Sequence, residues 1–170
     1  ASPPVPAPVP APPLWSVAAV EELLRYVEGI GREGLTPATY EPERLRAALA
    51  GGDPAALTLV ANRTFLRLVT DLSGGHVRGD GRVDWHLPDA SIDGNRQQLL
   101  LARAARGGVA PALDALLPTH PQYVGLRQAL ANETDEARRH LIRANMERWR
   151  WMPRDLGRRH VIVNVPAFTA

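Results

Sequence analysis

No cysteine occurs in this chain, which excludes disulfides, thiolate metal sites and a cysteine nucleophile within these residues. Lysine is absent too, so all 20 basic residues are arginine. Beside abundant Ala, Pro, Gly and Leu, this reads as the codon bias of a GC-rich genome before it reads as function. Aromatic residues make up only 5%, and no apolar run approaches the ~18 residues of a membrane span. No charged-then-apolar leader opens the chain; Ala1-Ser2-Pro3-Pro4 begins it as a processed or trimmed protein would begin. The net charge of +2 does not demand a polyanionic partner.

What is present suits one helical domain and a tail: 170 residues, 45% of them apolar, bound a single core. Residues 1–13 hold seven of the 16 prolines. Proline fixes φ and removes an N–H donor, so this stretch is expected to be a disordered, polyproline-II-like linker. Folded sequence begins near Leu14-Trp15. Ser16 is a candidate N-cap, and Val17, Val20, Leu23, Leu24 and Val27 recur at helical spacing until Gly29, Gly31 and Gly34. Pro42 opens a short helix with Leu45 and Leu49, stopped by Gly51-Gly52. Asp53-Pro54 makes a cap and first turn for a helix carrying Leu57, Val60, Ala61, Phe65, Leu68, Val69 and Leu72. Residues 73–94 are dense in Gly and Asp and read as a loop or short irregular strands. Helical patterns resume at Asn95–Arg106, Ala110–Leu117, after Thr119-His120-Pro121, and from Thr134 to Met152, where Pro153 and Gly157 follow.

The period then changes. His160-Val161-Ile162-Val163-Asn164-Val165 is rich in β-branched residues and reads as a strand. A lone strand cannot satisfy its own N–H and C=O groups. The expectation is a fold mainly of α-helices, about six or seven of them, with a linker over 1–13, a helical domain over 14–159, and a first strand over 160–170 whose pairing partners are missing or come from another chain.

The most specific segment is Asn145-Met146-Glu147-Arg148-Trp149-Arg150-Trp151-Met152-Pro153-Arg154-Asp155-Leu156-Gly157, continuing through Val163-Asn164-Val165-Pro166-Ala167-Phe168. It resembles the NMERWRW-x-P-x-x-LG…VNVPAF signature of large murein L,D-transpeptidases. A weaker match, Pro118-Thr119-His120-Pro121-Gln122-Tyr123 through Leu130, resembles a segment upstream in the same proteins. The helices from Trp15 to Leu72 fit that family's scaffold region in order and length. The resemblance implies a periplasmic, cell-envelope enzyme that cross-links peptidoglycan stem peptides by cysteine acyl transfer, with no cofactor. It also implies that the cysteine lies in a Ser-His-Gly-Cys type loop of a β-rich domain. This sequence departs from the pattern in having no cysteine. No catalytic residue is therefore carried over, and the chain alone is expected to be inactive. Its partner would be the catalytic domain of the same enzyme, met through Asn145, Arg148, Trp149, Arg150, Trp151 and Asn164.

Helical spacing sets Met146, Trp149, Arg150 and Pro153 near one stripe and Asn145, Arg148 and Met152 on another. Trp149 and Trp151 point to different sides, so one can fill a core while the other meets a neighbour; equally, both can be core residues of this domain. The alternative function is a stand-alone peptidoglycan-binding module or one that binds envelope proteins. Residues 138–159 hold eight arginines and two acids, but no nucleic-acid motif accompanies them, and no nucleic-acid partner is expected. Asp80, Asp84, His86, Asp89 and Asp93 could be drawn as an oxygen-rich cation cluster, but their spacing matches no EF-hand pattern and turn chemistry explains them equally well; no metal is expected.

Overall fold

A computed structural model describes residues 13–82, 86–87, 92–155 and 159. Among these residues the chain is helical and contains seven α-helices: α1 Val17–Glu28, α2 Pro42–Gly51, α3 Pro54–Gly74, α4 Gly94–Ala105, α5 Val109–Asp114, α6 Pro121–Asn132 and α7 Glu136–Trp151. The expected strand at 160–165, with Asn164, lies outside the described residues, as does the linker up to Pro12. None of the described helices is long and apolar enough to cross a membrane.

The N-caps explain where most helices start. Ser16 accepts from the Ala19 amide at 3.2 Å, and Asp53 from Ala55 at 2.9 Å with Pro54 in the first turn. Each satisfies one of the amides that a helix start leaves unpaired. Asp93, one of the loop acids, caps α4 by accepting from Arg96 at 2.7 Å. The last helix begins at Glu136, with Asp135 as its cap, rather than at Thr134. Two 3-10 turns, Ile30–Glu33 and Pro37–Tyr40, join α1 to α2; the first occupies the stretch where Gly29, Gly31 and Gly34 were expected only to end α1.

The main core lies between α1, α2, α3, α4 and α5. Ala19, Val20, Leu23, Tyr26 and Val27 form the inward stripe of α1, whereas Val17, expected in that stripe, is exposed because it sits in the first turn beyond the core's edge. A side chain such as Leu23, fully buried, contributes about 1.5–3 kcal/mol relative to exposure. Trp15 anchors the chain's entry. Its ring meets Phe65 edge-on at 5.6 Å, its indole N–H donates to Asn62 at 2.7 Å, and its amide donates to Thr58 at 3.2 Å. A smaller cluster, Tyr123, Leu130 and Met146 with Leu126, Ile142 and Trp149 packed against it, joins α6 to α7. This pair rests on the first 3-10 turn and on α3.

Glu22 of α1 supplies a cap from a distance. Its carboxylate accepts from the amides of Gly108 at 3.1 Å and Ala110 at 2.9 Å, at the start of α5. Burial raises its pKa, but the amides of Ala110, Gly108 and Val109, together with Arg25, more than offset this and hold it below the ordinary 4.5. A carboxyl depressed by folding stabilises above its unfolded pKa, and that contribution is lost as pH falls through the folded value. Thermal unfolding followed below about pH 4.5 is therefore expected to fall less steeply with pH in Glu22→Gln than in the parent chain; equal slopes would contradict the cap.

Candidate functional site

The motif block sits on α7, whose sequence is helical for electrostatic reasons as much as apolar ones. Glu136 pairs with Arg139 at 3.4 Å and Arg143 at 2.7 Å, and Glu147 with Arg150 at 2.8 Å. Glu136 lies in the first turn, and Arg148 and Arg150 in the last, an order that complements the helix dipole.

The motif splits into two halves. Met146, Arg150 and Trp151 are buried within this domain. Arg150 is only 1% exposed. It donates through one terminal nitrogen to Glu147 Oε2 at 2.8 Å and through the other to the carbonyl of Glu33, and it lies over the Tyr123 ring at 6.0 Å; its Nε has no partner among the described residues. Glu33, fully buried, accepts from the Tyr123 hydroxyl at 2.9 Å and from Arg127 at 3.3 Å. Burial raises the Tyr123 phenol above its ordinary value, with Arg150 opposing and Glu33 reinforcing that shift. Glu147 uses its other oxygen for the Val77 amide at 2.8 Å and the Trp151 indole at 3.0 Å. One residue of the motif thus ties α7 to the loop that follows α3.

The C-terminal end of α3 is where these contacts converge. Helix ends leave carbonyls unpaired and carry partial negative charge. Arg78 donates to the carbonyls of Thr70 at 2.7 Å and Gly75 at 2.9 Å, and Arg82 to that of Gly74. Arg154 takes those of Leu72 at 2.9 Å and Ser73 at 2.8 Å. Arg154 also reaches Leu116 at 3.0 Å, Arg150 at 3.2 Å and Met152 at 2.9 Å. One guanidinium therefore gathers the ends of α3, α7 and the turn after α5, and burial lowers its pKa from the ordinary arginine value. Beside it, Asp71 accepts from the Tyr40 hydroxyl at 2.9 Å and faces His76 Nδ1 at 3.1 Å.

The other half of the motif is open. Asn145 and Arg148 are exposed. Arg148 makes no ion pair or hydrogen bond among the described residues, and the Asn145 amide nitrogen donates to Leu141 at 2.9 Å. Trp149 is half-buried, stacked on His120 at 4.3 Å and 18°. With Gln122, Gly125, Leu126 and Ala129 of α6, Asn145 and Trp149 border an open groove of about 410 Å3. The small residues Gly125 and Ala129 leave the space, and the indole forms a wall.

Of the six residues expected to meet a catalytic domain, Arg150 and Trp151 are enclosed by this domain, while Asn145, Arg148 and Trp149 share an accessible face. Asn164 lies outside the described residues. The sequence reading missed Glu33, because an acid within Gly31-Arg32-Glu33-Gly34 reads as a solvated turn. It also missed the Arg154 clamp, since carbonyl acceptors leave no trace in side-chain spacing.

A family model described as Scaffold domain matches residues 11–130. No curated protein and no solved structure matches the chain. The match ends at Leu130, so α7 and its motif lie beyond it, joined to the matched part through Glu33, Val77, Leu72 and Ser73. With most of its length covered by that model, the chain belongs to the scaffold-domain family.

Proposed function

We propose that this scaffold domain is the non-catalytic helical part of a periplasmic L,D-transpeptidase that cross-links peptidoglycan stem peptides, and that α7 presents the face on which the cysteine-bearing catalytic domain rests. The scaffold match supports the helical part of this reading, and the Asn145–Gly157 block, resembling the transpeptidase signature, supports the enzyme class. The observation that carries the docking role is the division of α7. Arg150, Trp151 and Glu147 fix the helix rigidly to the scaffold, while Asn145, Arg148 and Trp149 remain accessible along one side. Positioning contacts act by holding reacting groups in register, so their loss reduces turnover without unfolding the protein.

In the full-length parent enzyme, Arg148→Glu combined with Trp149→Ala is expected to lower cross-linking of stem peptides about tenfold, a change of roughly 1.4 kcal/mol. The thermal midpoint of the helical part should move by only a few degrees, since Arg148 makes no ion pair or hydrogen bond among the described residues and the half-exposed Trp149 loses one stacking contact, with His120. Unchanged turnover would remove the docking role. Retention of the scaffold alone on purified sacculi, abolished by the same pair, would favour an independent wall-binding module.

A further inference from the structure

Two of the tryptophans are pinned by hydrogen bonds: the Trp15 indole donates to Asn62 at 2.7 Å and the Trp151 indole to Glu147 at 3.0 Å. Trp149 makes no hydrogen bond among the described residues. It packs against the small cluster that joins α6 to α7, but apolar packing is non-directional. What sets the plane of this half-exposed indole is the ring of His120, stacked on it at 4.3 Å and 18°.

His120 is itself held on two sides. Pro121 follows it, and a residue before proline is confined to extended backbone; His120 has φ −60° and ψ 137°. Its Nδ1 accepts from the Gln122 amide at 3.2 Å and so caps α6. The two tasks need different chemistry. Asn, Asp and Ser cap helices well but present no ring, and Phe would stack but has no acceptor. Histidine joins a planar ring to an acceptor nitrogen. Through it, the backbone of α6 orients a side chain of α7. The two segments that resemble the transpeptidase family, 118–130 and 145–157, meet at this stack.

We propose that His120 is a positioning residue of the docking face, holding the Trp149 indole in the orientation that the catalytic domain meets. The inference rests on the docking role proposed above and adds to it a residue of the α6 cap, outside α7.

Two substitutions separate the two tasks. His120→Asn keeps a capping side chain and removes the ring; His120→Phe keeps a ring and removes the acceptor. Each should lower the thermal midpoint by only a few degrees, so stability does not distinguish them. The emission of Trp149 does, isolated in the 170-residue chain as the difference between each protein and its Trp149→Phe counterpart. It should shift to the red and become more open to acrylamide quenching in His120→Asn, and stay close to the parent's in His120→Phe. In the full-length parent enzyme, His120→Asn should lower kcat for cross-linking about threefold to tenfold with KM unchanged, as a smaller docked fraction does. His120→Phe should remain within about twofold of the parent. On a Trp149→Ala background, His120→Asn should cost nothing further, because the residue it positions is gone.

Trp149 emission that His120→Asn leaves unaltered overturns the proposal. So does a turnover lowered by Trp149→Ala but not by His120→Asn, lowered equally by His120→Phe and His120→Asn, or lowered further by His120→Asn on the Trp149→Ala background; each of these leaves the docking role standing. Turnover indifferent to Trp149→Ala removes the docking role itself, and the positioning role with it.

Discussion

Arg150→Ala is expected to destabilise the chain by about 3–5 kcal/mol, the range seen when one member of a buried ion pair is removed. For a chain of this size, that corresponds to a fall of roughly ten degrees in thermal midpoint. The cost arises from what is left behind. Glu147 Oε2 loses its donor, the Glu33 carbonyl loses its buried partner, and a space opens beside the Tyr123 ring. The pair need not be a net stabiliser for this to hold, because the two charges were already desolvated to make it. Urea unfolding provides the measurement. A double variant, Arg150→Met with Glu147→Gln, removes both charges and should cost less than the sum of the single changes. A loss below about 1 kcal/mol for Arg150→Ala would show that the guanidinium is incidental to the packing of α7.

Gly75→Ala should be nearly as damaging, by about 3 kcal/mol or more. Gly75 has φ +85° and ψ 163°, a region essentially reserved for glycine, where another residue costs about 1–3 kcal/mol. An added Cβ would also lie 2.5 Å from Trp151 Cδ1 and 2.6 Å from Glu147 Oε1. Neither neighbour can retreat cheaply, since the Trp151 indole and Glu147 bind each other at 3.0 Å and Glu147 also holds the Val77 amide. Overpacking adds about 1–3 kcal/mol. The indole should become more accessible, read as a red shift in tryptophan emission. Gly51→Ala is the control: nothing lies within 4 Å of its would-be Cβ, and the helix end should be unaffected or stabilised by up to about 1 kcal/mol. Equal effects at the two sites would contradict the close approach at Gly75.

These two residues also show what the sequence made legible. Helix starts at Ser16, Asp53 and His120-Pro121 were readable because the relevant interactions are local, from a side chain to an amide two or three residues on. The apolar stripe of α3 was readable because burial follows the helical period. The two tryptophans of α7 were correctly separated by their spacing, but spacing does not say which of them faces the core. That was decided by Gly75, 76 residues before Trp151, whose missing side chain admits the indole. Arg150 offered no sign of burial, since an arginine among arginines reads as a solvated face. Its environment depends on Glu33 and Tyr123, at separations of 117 and 27 residues. The family resemblance named Asn145, Arg148 and Trp149 only together with Arg150, Trp151 and Asn164, and helical spacing put Trp149 on a different stripe from Asn145 and Arg148; it is the burial of Arg150 and Trp151 that separates the two halves. The groove beside it depends on Gly125 and Ala129, small residues that an apolar pattern does not record.

The grip of Arg154 sets how firmly the end of α7 is held. A planar guanidinium offers five donors in a fixed fork, so it can hold several acceptors at once. Here five carbonyls, two from the end of α3, one from α7 and one each from the turns after α5 and α7, hold the guanidinium within three residues of the end of α7. The backbone up to Arg154 is therefore held in one orientation, and the entropy of ordering it has been given up during folding. An ammonium, with three donors and no planar fork, cannot reproduce that hold. Arg154→Lys would loosen the segment that follows α7 from the end of α3 and the turn after α5 while leaving the net charge unchanged.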